Sequence, residues 1–277
     1  MGARGHVAGD MIDLHSHVVH GIDDGPRRLE ESLSMARFAA AGGTRIMVAT
    51  PHVSWHYHNR AEVIEAGVFE LNGALARNGI PVEVLPGGEV DASYSAELDD
   101  SELRGVRLGG GDALLLECPL TLAAEPLDAT VFRLHRAGHR IVLAHPERSP
   151  SLRAQPGRLE SMIRAGALTS ITAGSLLGQF GSEVRRFSYW MLEEGLVHNV
   201  ASDAHDVARR SPALRDALMA ATALEAPGLA HHVEWLAWDV PRAILDSSPI
   251  PPAPTAPIRV ARGPIRRLAD RMSSRRA

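Results

Sequence analysis

Met11-Ile12-Asp13-Leu14-His15-Ser16-His17 reads as a short apolar strand that ends on two histidines spaced by one residue. Side chains alternate along a strand, so His15 and His17 share a face and can converge on one ion. Asp13 in the same run is read as structural. The signature recurs along the chain. Thr50-Pro51-His52 closes a second apolar run, Ala144-His145-Pro146-Glu147-Arg148 a third, and Ser202-Asp203-Ala204-His205 a fourth with the same one-residue spacing. Two lone acids, Glu89 and Glu117, also end apolar runs. A carboxylate there is costly unless it is paired or metal-bound. Imidazoles and carboxylates repeated at strand ends describe a polynuclear site with mixed nitrogen and oxygen ligands. Such a site activates water at neutral pH, which points to metal-assisted hydrolysis. Asp23-Asp24-Gly25-Pro26 offers either a turn and helix entry or one further carboxylate.

Around these motifs, apolar runs alternate with segments of helical spacing. Strands are expected over 11–17, 45–50, 82–85, 113–118, 140–144, 168–172 and 196–201. Helices are expected over 29–41, 61–77, 127–137, 159–165, 183–194 and 213–224, most of them stopped by glycine. Seven strands, mostly with intervening helices, argue an α/β fold with a parallel sheet. The candidate ligands follow the strands, and in parallel barrels that end carries the active site.

The remaining histidines are weighed differently. His56 and His58 alternate with Trp55 and Tyr57, which suits a mobile lid or substrate loop better than ligation. His135, His139, His198, His231 and His232 are read as structural or surface residues.

With 277 residues, 45% of them hydrophobic, the chain can bury one sizeable core. No apolar run approaches the ~20 residues that span a bilayer. Residues 1–10 have no apolar stretch and read as an N-terminal extension rather than a signal peptide. The single Cys118 excludes an intrachain disulfide, and a reducing cytoplasm fits. Every basic residue is arginine, a composition bias to which no function attaches. The end of the chain differs from the rest. Residues 247–257 hold five prolines and read as an extended linker. Residues 258–277 carry seven arginines against Asp270, or net +6, which leaves 1–257 at −10. The expected organisation is therefore an extension over 1–10, one catalytic domain over 11–246 and a flexible Pro/Arg-rich tail over 247–277. Such a tail suits an acidic partner or an anionic membrane surface. The acidic body disfavours nucleic acid.

Taken in order, these residues resemble the PHP (polymerase and histidinol phosphatase) superfamily. Within it they are most similar to the bacterial metal-dependent tyrosine phosphatases of capsule and exopolysaccharide operons. The motifs that carry the resemblance are Met11–His17 with Gly21-Ile-Asp-Asp-Gly-Pro26, Ala49-Thr-Pro-His52, Pro86-Gly-Gly-Glu89, Leu116-Glu117 and Ala144-His-Pro-Glu-Arg148. Thr172-Ala-Gly-Ser175 with its sequel to Gly181, Ala201-Ser-Asp-Ala-His205 and Pro241-Arg-Ala-Ile-Leu245 complete the set. The resemblance implies a single-domain, TIM-like, distorted seven-stranded (β/α) barrel around three divalent ions, manganese first, with iron or zinc as alternatives. It implies metal ligation by His15, His17, Asp24, His52, Glu89, Glu117, His145, Asp203 and His205. It implies phosphate contact by Arg148 and by Arg210, with Arg209 the neighbour that a loop shift would substitute. His52 is a candidate proton donor to the leaving group. Ser170 departs from the family, which often has glutamine there, and the stretch after His52 is idiosyncratic.

The activity so implied is phosphomonoester hydrolysis on protein phosphotyrosine, on the tail of a polysaccharide-assembly tyrosine kinase. The alternatives are a small-molecule phosphatase, such as one for histidinol phosphate, and a non-catalytic regulatory module. The complete ligand set argues against the latter. Assembly into an oligomer is left open. Cys118 follows a run of leucines, and the residue six positions on is Ala124 rather than arginine, so a cysteine-thiolate phosphatase is not expected.

Overall fold

The computed structural model describes residues 9–121 and 127–261. The expectations for residues 1–8 and 262–277 lie outside the described residues. The chain alternates strands and helices through β1 (Met11–Ser16), α1 (Leu29–Ala41), β2 (Thr44–Ala49), β3 (His52–Val53), α2 (Ala61–Arg77), β4 (Glu83–Pro86) and β5 (Glu89–Asp91). It continues through α3 (Asp100–Gly105), β6 (Ala113–Glu117), α4 (Leu127–Arg136), β7 (Arg140–Ala144), α5 (Pro150–Ala154) and α6 (Pro156–Arg164). The last elements are β8 (Leu168–Thr172), α7 (Ala173–Leu176), α8 (Ser182–Glu193), β9 (Asn199–Ala201), α9 (Leu214–Leu224) and α10 (Val240–Leu245). Among the described residues no helix is long and apolar enough to cross a membrane.

All the strand pairs are parallel. One sheet runs β1-β2-β4 and a second runs β3-β5-β6-β7-β8-β9. Most of the strands are buried on both faces, as a parallel sheet covered by helices requires, whereas β4 is partly open. Leu114, Leu115 and Leu116 of β6 are all fully buried. The helices turn one stripe inward. In α2 the buried positions are Ile64, Val68, Leu71, Ala74 and Leu75, close to the helical repeat.

The described residues hold nine strands where the sequence suggested seven, because two runs are interrupted. Pro51 follows β2 and has no backbone N–H to offer a ladder. Gly87 and Gly88 separate β4 from β5, and a Cβ on Gly88 would stand 2.9 Å from the Val53 side chain. The register does not slip across the break. Ala49 pairs with Pro86 and His52 with Glu89, the same offset of 37 residues. The amide of Glu89 donates to the Pro51 carbonyl at 3.0 Å, which joins the two sheets. On the other side, Ser16 bridges Ala204 in parallel fashion, and Asp203 N donates to His15 O at 2.8 Å. Asp13, fully buried, accepts from both the amide and the hydroxyl of Ser202. The sequence reading of Asp13 as structural matches this tie between β1 and the end of β9.

Residues 247–261 differ from the expected free linker. They are extended but lie against the body, across the ends of the strands where β6 and β7 begin. Ser247 accepts from Asp112 N, and the Arg140 guanidinium donates to Ser248 O, both at 2.9 Å. Trp235 Nε1 donates to Pro251 O at 3.0 Å, and His232 Nε2 lies 2.6 Å from Ala256 O. Ile250, Ile258 and Val260 pack on the core. Proline-rich chain stays extended because its φ is fixed and its donors are few, and neither property keeps it off an apolar surface.

Candidate metal centre

The nine residues picked out as ligands gather at the C-terminal ends of the strands. His15 and His17 project from the end of β1. His52 and Glu89 begin β3 and β5, just past the breaks. Glu117 ends β6, His145 follows β7, and Asp203 and His205 follow β9. Asp24 comes from the loop between β1 and α1. Their donor atoms fall into four overlapping groups, each within 4.8 Å: His17, Asp24, His52 and His205; His15, His17 and Glu89; His15, His145 and Asp203; and His52, Glu89 and Glu117. β8 contributes no member. Its Ser170 is buried and donates to Asn199 Oδ1 at 2.6 Å. His56 and His58 belong to none of the four groups.

The donors face one another. His15 Nε2 lies 3.3 Å from His17 Nε2 and 3.4 Å from both Glu89 Oε1 and Asp203 Oδ1. His145 Nε2 is 2.7 Å from Glu89 Oε1, and His52 Nδ1 is 3.0 Å from Glu89 Oε2. Glu89 therefore lies at the middle of the cluster, fully buried, with the imidazoles of His15, His17, His52 and His145 around it. Burial would raise its carboxyl, but the charges of His15 and His145 hold it well below the usual range. Glu117 is pushed the other way, to about 8, by burial and then by the Glu89 carboxylate. The two acids thus repel each other, and added positive charge would favour the ionised form of both. Asp203 Oδ1 is buried and makes no hydrogen bond among the described residues. A buried acceptor in that condition, beside paired imidazole nitrogens, fits a divalent cation.

Several neighbours fix the donors in place. Asp23 Oδ2 sits 2.6 Å from His17 Nδ1 and accepts from His52 N at 3.2 Å. Its other oxygen accepts from Gly25 N. Burial opposes a charge on His17, yet the Asp23 and Glu89 carboxylates raise its pKa to about 10. A carboxylate on the far ring nitrogen sets the tautomer and presents Nε2 to the cluster. A Cβ on Gly25 would lie 2.4 Å from His17 O, so only glycine lets this loop fold onto β1. Of the adjacent acids, Asp23 therefore braces and Asp24 faces the cluster, 3.2 Å from His205 Nε2. The residue pattern alone left that division open, and the resemblance named Asp24 as the ligand. His145 and Asp203 have φ of +33° and +52°, two of the three described non-glycine residues in the left-handed region. Backbone held there carries strain that the surrounding structure must maintain.

Two arginines close one side. Arg148 Nη1 and Arg210 Nη2 both meet Asp203 Oδ2, at 2.7 and 2.5 Å. Arg148 also lies over the Phe180 ring, 4.4 Å from its centre. Arg210 is turned inward by Asp206, whose Oδ1 accepts from the amides of Ala208, Arg209 and Arg210. That turn brings Arg210 to Asp203 and leaves Arg209 exposed. Glu147 was missed in the sequence. It is fully buried, accepts from Thr172 N and the Ser175 hydroxyl, and so ties the turn bearing His145 and Arg148 to the start of α7. Burial pushes its carboxyl to about 7. A buried glutamate between Pro146 and Arg148 has no local signal, because its partners lie 25 and 28 residues away.

Comparison with known proteins agrees with this geometry. The family model described as capsular polysaccharide synthesis, CpsB/CapC, matches residues 11–244. The chain is 35% identical over 209 residues to the tyrosine-protein phosphatase YwqE of Bacillus subtilis, covering 75% of this chain and 82% of that one. It is 33% identical over 215 residues to the tyrosine-protein phosphatase CpsB of Streptococcus agalactiae, covering 75% and 88%. The fold is similar to a crystal structure from the pair YwqE of Bacillus subtilis and CpsB of Streptococcus pneumoniae, metal-dependent tyrosine phosphatases. The TM-score is 0.77 at 30% identity, over 90% of this chain and 100% of that one.

Proposed function

The chain belongs to the CpsB/CapC family of capsular polysaccharide synthesis, and from that premise we propose that it is a metal-dependent phosphatase of protein phosphotyrosine. The observation that carries this reading is the convergence of nine imidazole and carboxylate donors, with two arginines meeting on one of them, at one end of a parallel α/β fold. We read the two sheets as one distorted seven-stranded barrel, since the register runs unchanged through the breaks at Pro51 and at Gly87-Gly88.

The nine residues would hold three divalent ions, manganese foremost, since mixed nitrogen and oxygen donors suit it as well as iron or zinc. When bound, such ions supply Lewis acidity that activates water and neutralises phosphate. Three such ions carry +6, and Asp24, Glu89, Glu117 and Asp203 carry −4, so the +2 that remains matches a phosphomonoester dianion. Arg148 and Arg210 bring fixed guanidinium donors to the same edge. Charge-assisted hydrogen bonds from them stabilise charge that builds on phosphate oxygens in the transition state. Phe180 under Arg148 and the Asp206 turn under Arg210 hold both donors in position. His52, only partly buried, is the imidazole placed to return a proton to the leaving oxygen. A phenolate is a good leaving group and asks little of that acid.

The protein partner we propose is the tyrosine-rich tail of a kinase of polysaccharide assembly, met in the cytoplasm, with the arginines beyond residue 261 as a second contact to an acidic partner or membrane surface. Turnover of a phosphotyrosine peptide, histidinol phosphate and single-stranded DNA, each with Mn²⁺ and with chelator, tests the reading. Selective, chelator-sensitive hydrolysis of the peptide is expected. Faster turnover of histidinol phosphate would overturn it.

A further inference from the structure

The stretch 54–59, read in the sequence as a mobile lid or substrate loop, is tied together by its own hydrogen bonds. Val53 and His58 form an antiparallel bridge, and Ser54 N donates to Tyr57 O at 2.9 Å. The Ser54 hydroxyl also accepts from the amides of His56 and Tyr57. This is a hairpin with Trp55 and His56 at its tip, and Asn59 pins its base to the carbonyls of Ile22 and His52. A second turn, after β5, meets it. Asp91 Oδ1 accepts from the amides of Ser93 and Tyr94 and from the Ser93 hydroxyl. Trp55 Nε1 donates to that hydroxyl at 3.3 Å, and its ring meets Tyr94 edge-on at 5.1 Å. Tyr94 in turn holds His58 through its hydroxyl, at 3.1 Å.

Three aromatic residues therefore sit on the turns that follow β3 and β5, the strands that His52 and Glu89 begin. Tyr57 stacks on His52 itself, 5.7 Å between centres and 12° from parallel. Trp55 remains 58% exposed although both its turn and its indole N–H are fixed. An exposed indole held by two hydrogen-bonded turns contributes little to the core, and it stands two residues beyond β3, the strand that His52 begins. We propose that Trp55, backed by Tyr94 and continued by Tyr57, is the wall that receives the aryl ring of the substrate, and so sets a preference for aryl over alkyl phosphate monoesters. The inference rests on the phosphatase reading above and deepens it. Rings of this kind take a phenyl group face-on or edge-on, and each such pair adds to the simple burial of surface.

The test uses the Mn²⁺-loaded full chain and Trp55→Ala and Trp55→Phe variants. Calorimetry would measure binding of the phosphonate analogue of phosphotyrosine and of methylphosphonate, which lacks the ring. Trp55→Ala should weaken the ring-bearing ligand about tenfold and leave methylphosphonate and metal content unchanged, while Trp55→Phe recovers most of the loss. The ratio of phosphotyrosine-peptide to β-glycerophosphate turnover should fall in step. Equal binding of the analogue by wild type and Trp55→Ala, or a parallel loss of both ligands, overturns the wall. Wild type that binds the analogue but hydrolyses no phosphotyrosine peptide would overturn the phosphatase reading alone.

Discussion

The two ends of the sheet handle buried polarity in opposite ways. Where the strands end, Glu89, Asp203, His15 and His145 are buried against one another, and Asp203 Oδ1 has no hydrogen bond among the described residues. Where the strands begin, most polar groups are paired off one at a time, Asp112 Oδ1 and His135 Nε2 being exceptions among the described residues. Thr169 donates to Leu196 O, and Arg140 reaches Ser248 O. His139 sits between Arg107 and Asp100. Satisfied pairs of this second kind hold a fold together and need nothing further. The first kind is a site that the protein alone leaves incomplete. In parallel barrels the same division separates catalysis from stability.

If the division holds, damage at the two ends should look different. The largest effect is expected from the donors at the centre of the cluster. His15→Ala or Glu89→Ala should abolish turnover and remove at least one metal ion per chain, read by elemental analysis of the purified variants. Full activity in either variant would erase the contrast. Arg148→Ala comes next. It removes a charged hydrogen bond in the transition state, worth roughly 2–4 kcal/mol or about 30- to 1000-fold in rate, while metal content stays near wild type. Metal loss in this variant would make Arg148 a structural partner of Asp203 instead.

The sequence revealed the two ends unequally. The spans of α1 and α2 follow directly from apolar spacing and stop signals, and the strand-end histidines were legible because each ends an apolar run. The break in each of two strands was also written in the chain, as Pro51 and as Gly87-Gly88, but these read as strand ends because register is a tertiary property. The roles of Asp23 and Asp24 depend on how one turn points two adjacent carboxylates, which spacing cannot show. The tail was harder still. Five prolines announce an extended chain, and Ile250, Ile258 and Val260 have no periodic signal to say that it lies on Trp235 and its neighbours.

That packed tail gives a smaller effect, at the opposite end. Deleting 247–277 removes the hydrogen bonds at Trp235, His232 and Arg140 and uncovers apolar surface. Stability should fall by roughly 2 kcal/mol, seen as a lower urea midpoint, whereas hydrolysis of a small aryl phosphate by the folded fraction should persist. Lost activity in a folded truncation would show that this face reaches the donor cluster after all. Unchanged stability would mean that the contacts of 247–261 are only superficial.

The smallest effect is expected one residue beyond the cluster. Cys118 follows Glu117, is fully buried, and its thiol is raised well above the usual range, first by burial and then by the nearby Glu147 and Glu117 carboxylates. A thiol that stays protonated is a poor nucleophile, however near a phosphate lies. Cys118→Ser swaps it for a hydroxyl in an apolar setting, which costs about 1 kcal/mol of stability. Turnover should stay within about threefold of wild type, well under the 1.4 kcal/mol that a tenfold change represents. Chelation should remove activity from wild type and variant alike, and Mn²⁺ should restore it to both. A dead serine variant together with a chelator-resistant wild type would move the chemistry from the nine donors to the sulfur, and the contrast between the two ends of the sheet would lose its meaning.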